Sequence, residues 1–175
     1  QWGDEGKGLI SAYRAMRDNA LGVWRDGTGT NAEHGLFLRD ERTYLKVNQL
    51  PLGWIFNPNT QIRIGSGVAV DQDKFLYEVM NYDLVDRVKV DPRCPIITKE
   101  HIETEKKSVE MNSIRSTFSG TGACRSDFVL RRAKQAKDVM NDELLSDSGT
   151  EINRLALKGV VGVERFPLGV DVGSI

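Results

Sequence analysis

At 175 residues the chain is long enough for one domain with a real core, and 39% hydrophobic with 28% charged residues is the make-up of a soluble globular protein. A formal net charge of −1 leaves no basic excess for nucleic acid, and no apolar run approaches a membrane span. The two cysteines, Cys94 and Cys124, lie far apart without metal-ligand spacing, which predicts free thiols in a reducing cytoplasm.

The chain opens on Gln1-Trp2-Gly3-Asp4-Glu5-Gly6-Lys7-Gly8, three glycines with two carboxylates and a lysine. Leu9, Ala12, Tyr13 and Met16 then recur at helical spacing, predicting a helix from Leu9 to Asn19 that Gly22 ends. Val23 to Arg25 reads as a short strand, and Asp26 to Gly35 as a second glycine-rich loop. Leu36–Leu38 and Tyr44–Leu50 predict two strands joined by a polar turn over residues 39–42. Pro51 and Gly53 close that pair, and Asn57-Pro58-Asn59 is another turn.

Ile62–Ile64 predicts a strand running into Gly65-Ser66-Gly67 and an apolar strand-like end at Val70. Asp73 is the predicted cap of a helix to about Tyr82, with Phe75, Leu76, Val79 and Met80 on one face. Arg87–Val90 alternates as a strand, and Ile96-Ile97 reads as a short buried one. Lys99–Glu110 predicts an exposed charged helix, in which His101 is a solvated surface residue. Ile114 to Gly122 is a third loop, rich in hydroxyls and glycine. Ser126 to Asn141 reads as a basic helix, and 147–157 as a further one. Strands alternating with helices predict an α/β fold, a mostly parallel sheet with flanking helices and glycine-rich phosphate loops.

The opening octet has the residues of a phosphate site. Glycines bring backbone N–H groups close to a ligand, a helix N-terminus adds partial positive charge, and Lys7 adds a formal cation. Asp4 or Glu5 can hold a metal or move a proton. The spacing is not Walker A. A glycine-rich surface turn with solvated charges is the alternative. A phosphate loop ordinarily follows a buried strand, and none precedes this one, so residues 1–175 are expected to be one partial domain, a piece of a longer protein that lacks its first strand. In the second loop His34 follows Glu33, and imidazole is the side chain suited to proton transfer near neutral pH.

The octet resembles the signature of adenylosuccinate synthetases. Asn31-Ala32-Glu33-His34 is similar to that family's Asn-Ala-Gly-His, and Ile64 to Asp71 to its Ile-Gly-x-Gly-Val-x-Val-Asp. Gln49–Gly53 looks like its Pro-x-Gly turn. Asp86–Cys94 and Arg132–Asp138 look most like its short archaeal branch. The likeness runs from Gln1 to about Leu157, Val160–Ile175 lacks the expected Glu-Gly-x-Gln-Gly loop, and the resemblance implies that the family's C-terminal half is absent from residues 1–175.

The resemblance implies purine nucleotide biosynthesis: ligation of aspartate to IMP at the expense of GTP, or another nucleoside triphosphate, through a 6-phosphoryl intermediate. It implies Asp4, His34 and Lys7 as catalytic residues, and Gly6, Gly8, Asn31, Thr117 and Arg131 as nucleotide-binding ones. Magnesium (Mg2+) would be held by Asp4 and Glu33. Arg131 matches an arginine that reaches a neighbouring subunit, implying a homodimer. Glu33, Phe118 and Arg115 stand where the family has glycine, and Gly35 replaces a hydroxyl-type residue. A phage relative uses dGMP to make 2-aminoadenylosuccinate; its best-known members carry serine at the position of Asp4, which is retained here. A non-catalytic nucleotide-binding remnant is the reading from another class.

Overall fold

The computed structural model describes residues 6–27, 29–38, 44–114, 116–147 and 170–171. The first helix, α1, spans Lys7–Arg17, starting two residues earlier than the apolar spacing predicts. Gly6 precedes it at φ 71°, a left-handed conformation that glycine adopts without strain. Its buried stripe is Gly8, Ser11, Ala12 and Ala15, while Leu9, Ile10, Tyr13 and Met16 are exposed. The small face lets the helix lie close to the chain beneath it. Gly22 does not end the helix; it is the first residue of β1 (Gly22–Arg25).

The second loop leads into a two-stranded antiparallel hairpin, β2 (His34–Phe37) and β3 (Tyr44–Val47), with His34 opposite Val47. His34 is therefore the first residue of a strand rather than a loop residue. The predicted turn over 39–42 lies outside the described residues. The Tyr44 hydroxyl sits where a Cβ on Gly35 would stand, 2.0 Å from that point. Gly35 thus leaves room for an aromatic ring across the hairpin. The predicted third strand stops at Val47, because residues 48–50 bend to donate three backbone N–H groups to Glu78. A 3₁₀ turn follows at Gly53–Phe56, packing against α1.

Next come β4 (Gln61–Ile64), α2 (Gln72–Asn81) and β5 (Val88–Val90). The cap of α2 is Asp71, whose carboxylate accepts from the Lys74 N–H at 3.2 Å, and not Asp73. Its buried face is Phe75, Glu78 and Val79; Leu76 and Met80 face outward, contrary to the periodicity. Ile96 makes only a bridge to Val70. The charged segment breaks at Ser108 into α3 (Lys99–Lys107) and α4 (Val109–Ser113). The solvated role expected for His101 is overturned. It is buried, with Nδ1 accepting from the Thr98 N–H at 2.9 Å and Nε2 3.3 Å from the Asp127 carboxylate.

The helix α5 covers Thr121–Val129, not 126–141. Two tertiary facts place it there. Glu105 on α3 accepts from the N–H groups of Gly120, Gly122 and Ala123, satisfying the first turn from outside. At the other end Arg131 turns left-handed, φ 58°, and stops the helix. Short 3₁₀ turns at Ala136–Asp138 and Asp142–Leu144 replace the rest of the predicted helix. The predicted helix over 147–157 lies almost wholly outside the described residues.

A last short strand, β6 (Val170–Asp171), completes a four-stranded sheet in the order β5-β4-β1-β6, with every described pairing parallel. The expected α/β architecture with a mostly parallel sheet is what the chain forms. The core is continuous across the sheet: Val23, Ile62, Ile64, Val88 and Val90 meet Ala12, Ala15, Leu50, Leu52, Phe75 and Val79. A smaller cluster of Ala69, Ile97 and Cys124 lies under α5. None of the described helices is long and apolar enough to cross a membrane.

Candidate active site

Parallel strands present their following loops at one edge, and open α/β sheets bind ligands there. In this chain β1 and β4 end at Arg25 and Ile64, and residues 26–33 and 65–70 follow them. The two loops touch: a Cβ on Gly65 would lie 2.3 Å from Asp26 Oδ1. The start of α5 joins them. A Cβ on Gly29 would meet the Thr121 side chain at 2.8 Å and the Ala69 carbonyl at 3.1 Å. Arg125, one turn along α5, donates to the Gly67 carbonyl at 3.1 Å. The second and third glycine loops and the Gly65–Val70 segment therefore form one surface.

The opening octet meets this surface at its last glycine. The imidazole of His34 packs on α1 at Gly8, so closely that a Cβ there would lie 2.5 Å from Nδ1 and 2.8 Å from Cγ. His34 is buried and Lys7 half-buried. Two motifs separated by 26 positions thus share one contact, which only glycine permits. Gly6 brings no side chain to cap α1, and the first turn carries no acidic residue. Such an end favours an anion, since its backbone N–H groups point outward along a positive dipole end. Asp4 lies outside the described residues.

Asn31 and Thr117 are both exposed on loops of this surface. Phe118 is half-buried at φ 49°, in the region that favours glycine. The backbone here has the shape a glycine would take, with a large side chain fitted to it. Arg131 is exposed at the opposite end of α5 from Thr121, about 13 Å away along a helix of this length. The described contacts bring Gly8 and His34 together and Gly29 and Thr121 together; they do not bring Arg131 to either pair.

Glu33 and His34 diverge. While His34 is buried against α1, the Glu33 carboxylate is half-exposed and 2.7 Å from the Lys46 ammonium of β3. The hydrogen bond and charge of Glu33 hold the Lys46 ammonium above the usual lysine range. Glu33 is already neutralised by that partner. Among the described residues no group of three or more His, Cys, Asp or Glu side chains clusters as a metal site. Magnesium is ordinarily held by one or two carboxylates together with phosphate oxygens and water, and Glu33 would have to leave Lys46 to be one of them.

Three supporting residues carry no motif. Arg25, buried at the end of β1, donates through one guanidinium nitrogen to the Gly29 carbonyl at 2.5 Å and through the other to the Asn48 carbonyl. Glu78 on α2 accepts from the N–H groups of Asn48 at 2.6 Å, Gln49 at 3.1 Å and Leu50 at 2.9 Å. Burial pushes the Glu78 carboxyl up from its ordinary range, against the pull of those three donors and the charge of Arg25. Glu105 serves the third loop in the same manner. The available signals were an arginine ending an apolar strand and a glutamate between Phe75 and Val79 on a helix face. Glu105, in a run of charges, had none.

Comparison with known proteins gives the family and the fold. The adenylosuccinate synthetase family model matches residues 1–165. Curated relatives include the adenylosuccinate synthetases of Pyrococcus sp. (strain ST700), 37% identical over 183 aligned positions, and Archaeoglobus fulgidus, 36% over 179. Each alignment covers 99% of this chain but 53% and 52% of those proteins, so the chain spans about half the length of the curated relatives it matches. The fold is shared with fully ligated adenylosuccinate synthetase from Plasmodium falciparum, TM-score 0.67 at 20% identity over 93% of this chain and 39% of that one. Succinoaminodeoxyadenylate synthetase of cyanophage S-2L, bound to dGMP and dATP, superposes with TM-score 0.70 at 26% identity over 89% and 46%.

Proposed function

Since this chain belongs to the adenylosuccinate synthetase family, we propose that the whole protein is a ligase forming a C–N bond between aspartate and C6 of a purine nucleotide, IMP in the first instance. The observation that carries the reading is the seating of His34 on Gly8, which joins the signature octet to the histidine of the second loop. Asp4 takes the N1 proton of the purine, so that O6 attacks the γ-phosphorus of GTP, or another nucleoside triphosphate, and the diphosphate leaves. His34 donates a hydrogen bond to the transferring phosphoryl group, and Lys7 with the N–H groups around Gly6 and Gly8 stabilises its charge. The aspartate amine then attacks C6, the C6–O6 bond breaks, and phosphate departs carrying O6 and taking up the proton that the amine loses. A carbonyl oxygen is a poor leaving group, and phosphorylation makes it a good one.

Asn31 and Thr117 contact the nucleotide, and Arg131, exposed and remote from His34, reaches a second copy in a cytoplasmic homodimer. Magnesium would neutralise phosphate charge, with Asp4 as its ligand and Glu33 reaching it only on release from Lys46. The test uses the full-length protein and IMP labelled with ¹⁸O at C6. The label is expected in released phosphate, and His34→Asn is expected to abolish its transfer. Unlabelled phosphate alongside adenylosuccinate would overturn the mechanism, and absence of product from either IMP or dGMP would overturn the ligase.

Glu33 favours a second reading, in which the substrate is a 2-amino purine nucleotide such as dGMP. Released from Lys46, the Glu33 carboxylate can accept from a 2-amino group, which IMP lacks, and a hydrogen bond open to one substrate and not the other discriminates between them. The test compares IMP, GMP and dGMP with the full-length enzyme and its Glu33→Gly variant. Equal substrate ratios in both proteins would remove Glu33 from specificity.

A further inference from the structure

We infer that Asn48 is the positioning residue that holds the loop carrying Asn31 and His34 in its working conformation. The inference rests on the ligase reading above, in which that loop serves phosphoryl transfer. Asn48 follows β3, and its polar groups go to three separate elements. The main-chain N–H donates to Glu78 on α2 at 2.6 Å. The main-chain carbonyl accepts from Arg25 at the end of β1. The side-chain Nδ2 donates to the carbonyl of Ala32 at 3.2 Å. Ala32 lies between Asn31 and His34, so this one amide fixes the peptide that joins the two proposed site residues.

The chemistry makes the side chain specific. A peptide carbonyl only accepts, so the group facing Ala32 must be a donor on a short, uncharged stem that reaches from residue 48. Asparagine supplies that; aspartate, of the same shape, presents acceptors only. Arg25 and Glu78 complete the frame. Arg25 also holds Gly29 at 2.5 Å, at the other end of the same loop. Glu78 keeps residues 48–50 in the bend that aims the amide. The loop is thereby anchored at Gly29 and Ala32, with Asn31 between the anchors and His34 two residues after the second.

The experiment uses full-length protein carrying Asn48→Asp, with Asn48→Ala as the second variant. Misplacing a reacting group by about 1 Å costs on the order of 10²-fold. We expect ¹⁸O transfer from the purine to phosphate to fall between about tenfold and 100-fold in both variants, with KM for the purine nucleotide changed less than about threefold. Backbone amide exchange at Ala32–His34 is expected to quicken at least about tenfold in Asn48→Asp, while β4 and β5 keep their protection. Unchanged exchange in that loop, or transfer within twofold of the parent, overturns the proposal. So does a loss of protection throughout the sheet, which would make Asn48 a general stability residue. A parent protein that transfers no label refutes the ligase reading instead, and the exchange measurement still decides whether Asn48 holds the loop.

Discussion

Gly8 shows how a single missing side chain joins two distant motifs. The His34 ring fills the space a Cβ would take, with three ring or side-chain atoms inside 3 Å of it. Gly8→Ala therefore has no small accommodation: the imidazole or the helix must move. We expect Gly8→Ala to lower kcat by roughly 10²-fold, since reacting groups displaced by about 1 Å lose that much, while α1 itself gains helix propensity. Turnover of the full-length variant, measured beside its circular dichroism, checks this; near-parent kcat would mean that the contact is not used. Glu33 teaches the opposite. Its neighbour in sequence is buried and Glu33 is not, because it pairs with Lys46 on the hairpin. A departure from a family pattern next to the proposed catalytic histidine does not by itself point at that histidine.

Among elements, those governed by local pattern were legible. The bounds of β5 and α2 were predicted within one or two residues, although the face α2 buries was only half that expected from its spacing. What sequence could not display was the reach of two glutamates. Glu105 sets where α5 begins, and Glu78 ends the run of β3 by folding residues 48–50 onto its carboxylate. Such control acts across 15 to 30 positions and leaves no periodic trace. The Glu78 clamp has a pH consequence. Burial raises its folded carboxyl above the ordinary 4.5. As pH falls, the folded state takes up a proton before the unfolded chain does, so Glu78 favours folding increasingly on acidification. That contribution is complete below the ordinary value and lost as pH rises through the raised one. Urea titration of the full-length parent and Glu78→Gln should show the stability difference shifting towards the parent between about pH 7 and about pH 4.5. A difference independent of pH would contradict the clamp as an ionised group.

For the whole molecule, the parallel sheet was readable from alternating strands and helices, but β6 was not, since two residues carry no pattern. The site was half legible. Glycine loops announce themselves by composition, whereas Arg25, Asn48 and Glu78 act through geometry alone. The described residues also form two apolar clusters of unequal size with one cysteine each, Cys94 in the large one and Cys124 in the small one under α5. Burial pushes the Cys124 thiol up to about 12 and Cys94 higher still. Both are therefore expected to resist alkylation at about pH 8 in the native protein, because the thiolate is the reactive form. In rising urea Cys124 should react first, since the smaller cluster opens at lower cost. Mass spectrometry of the labelled peptides decides the order, and simultaneous reaction would show one cooperative unit.

The pairing of β1 with both β4 and β6 sets an order of assembly. Trp24 meets Arg63 on one side and Val170 on the other. At ribosomal speeds of about 5–20 residues per second, the second partner emerges roughly 7–30 s after β1 has been made. Through that interval the nascent chain can complete the β1–β4–β5 pairings and the β2–β3 hairpin, while β1 waits for β6. Contacts this distant in sequence form slowly. Of the described pairings in this sheet, β1–β6 is thus the last whose two strands have both been made, and the interval before they pair is when a chaperone would have its use.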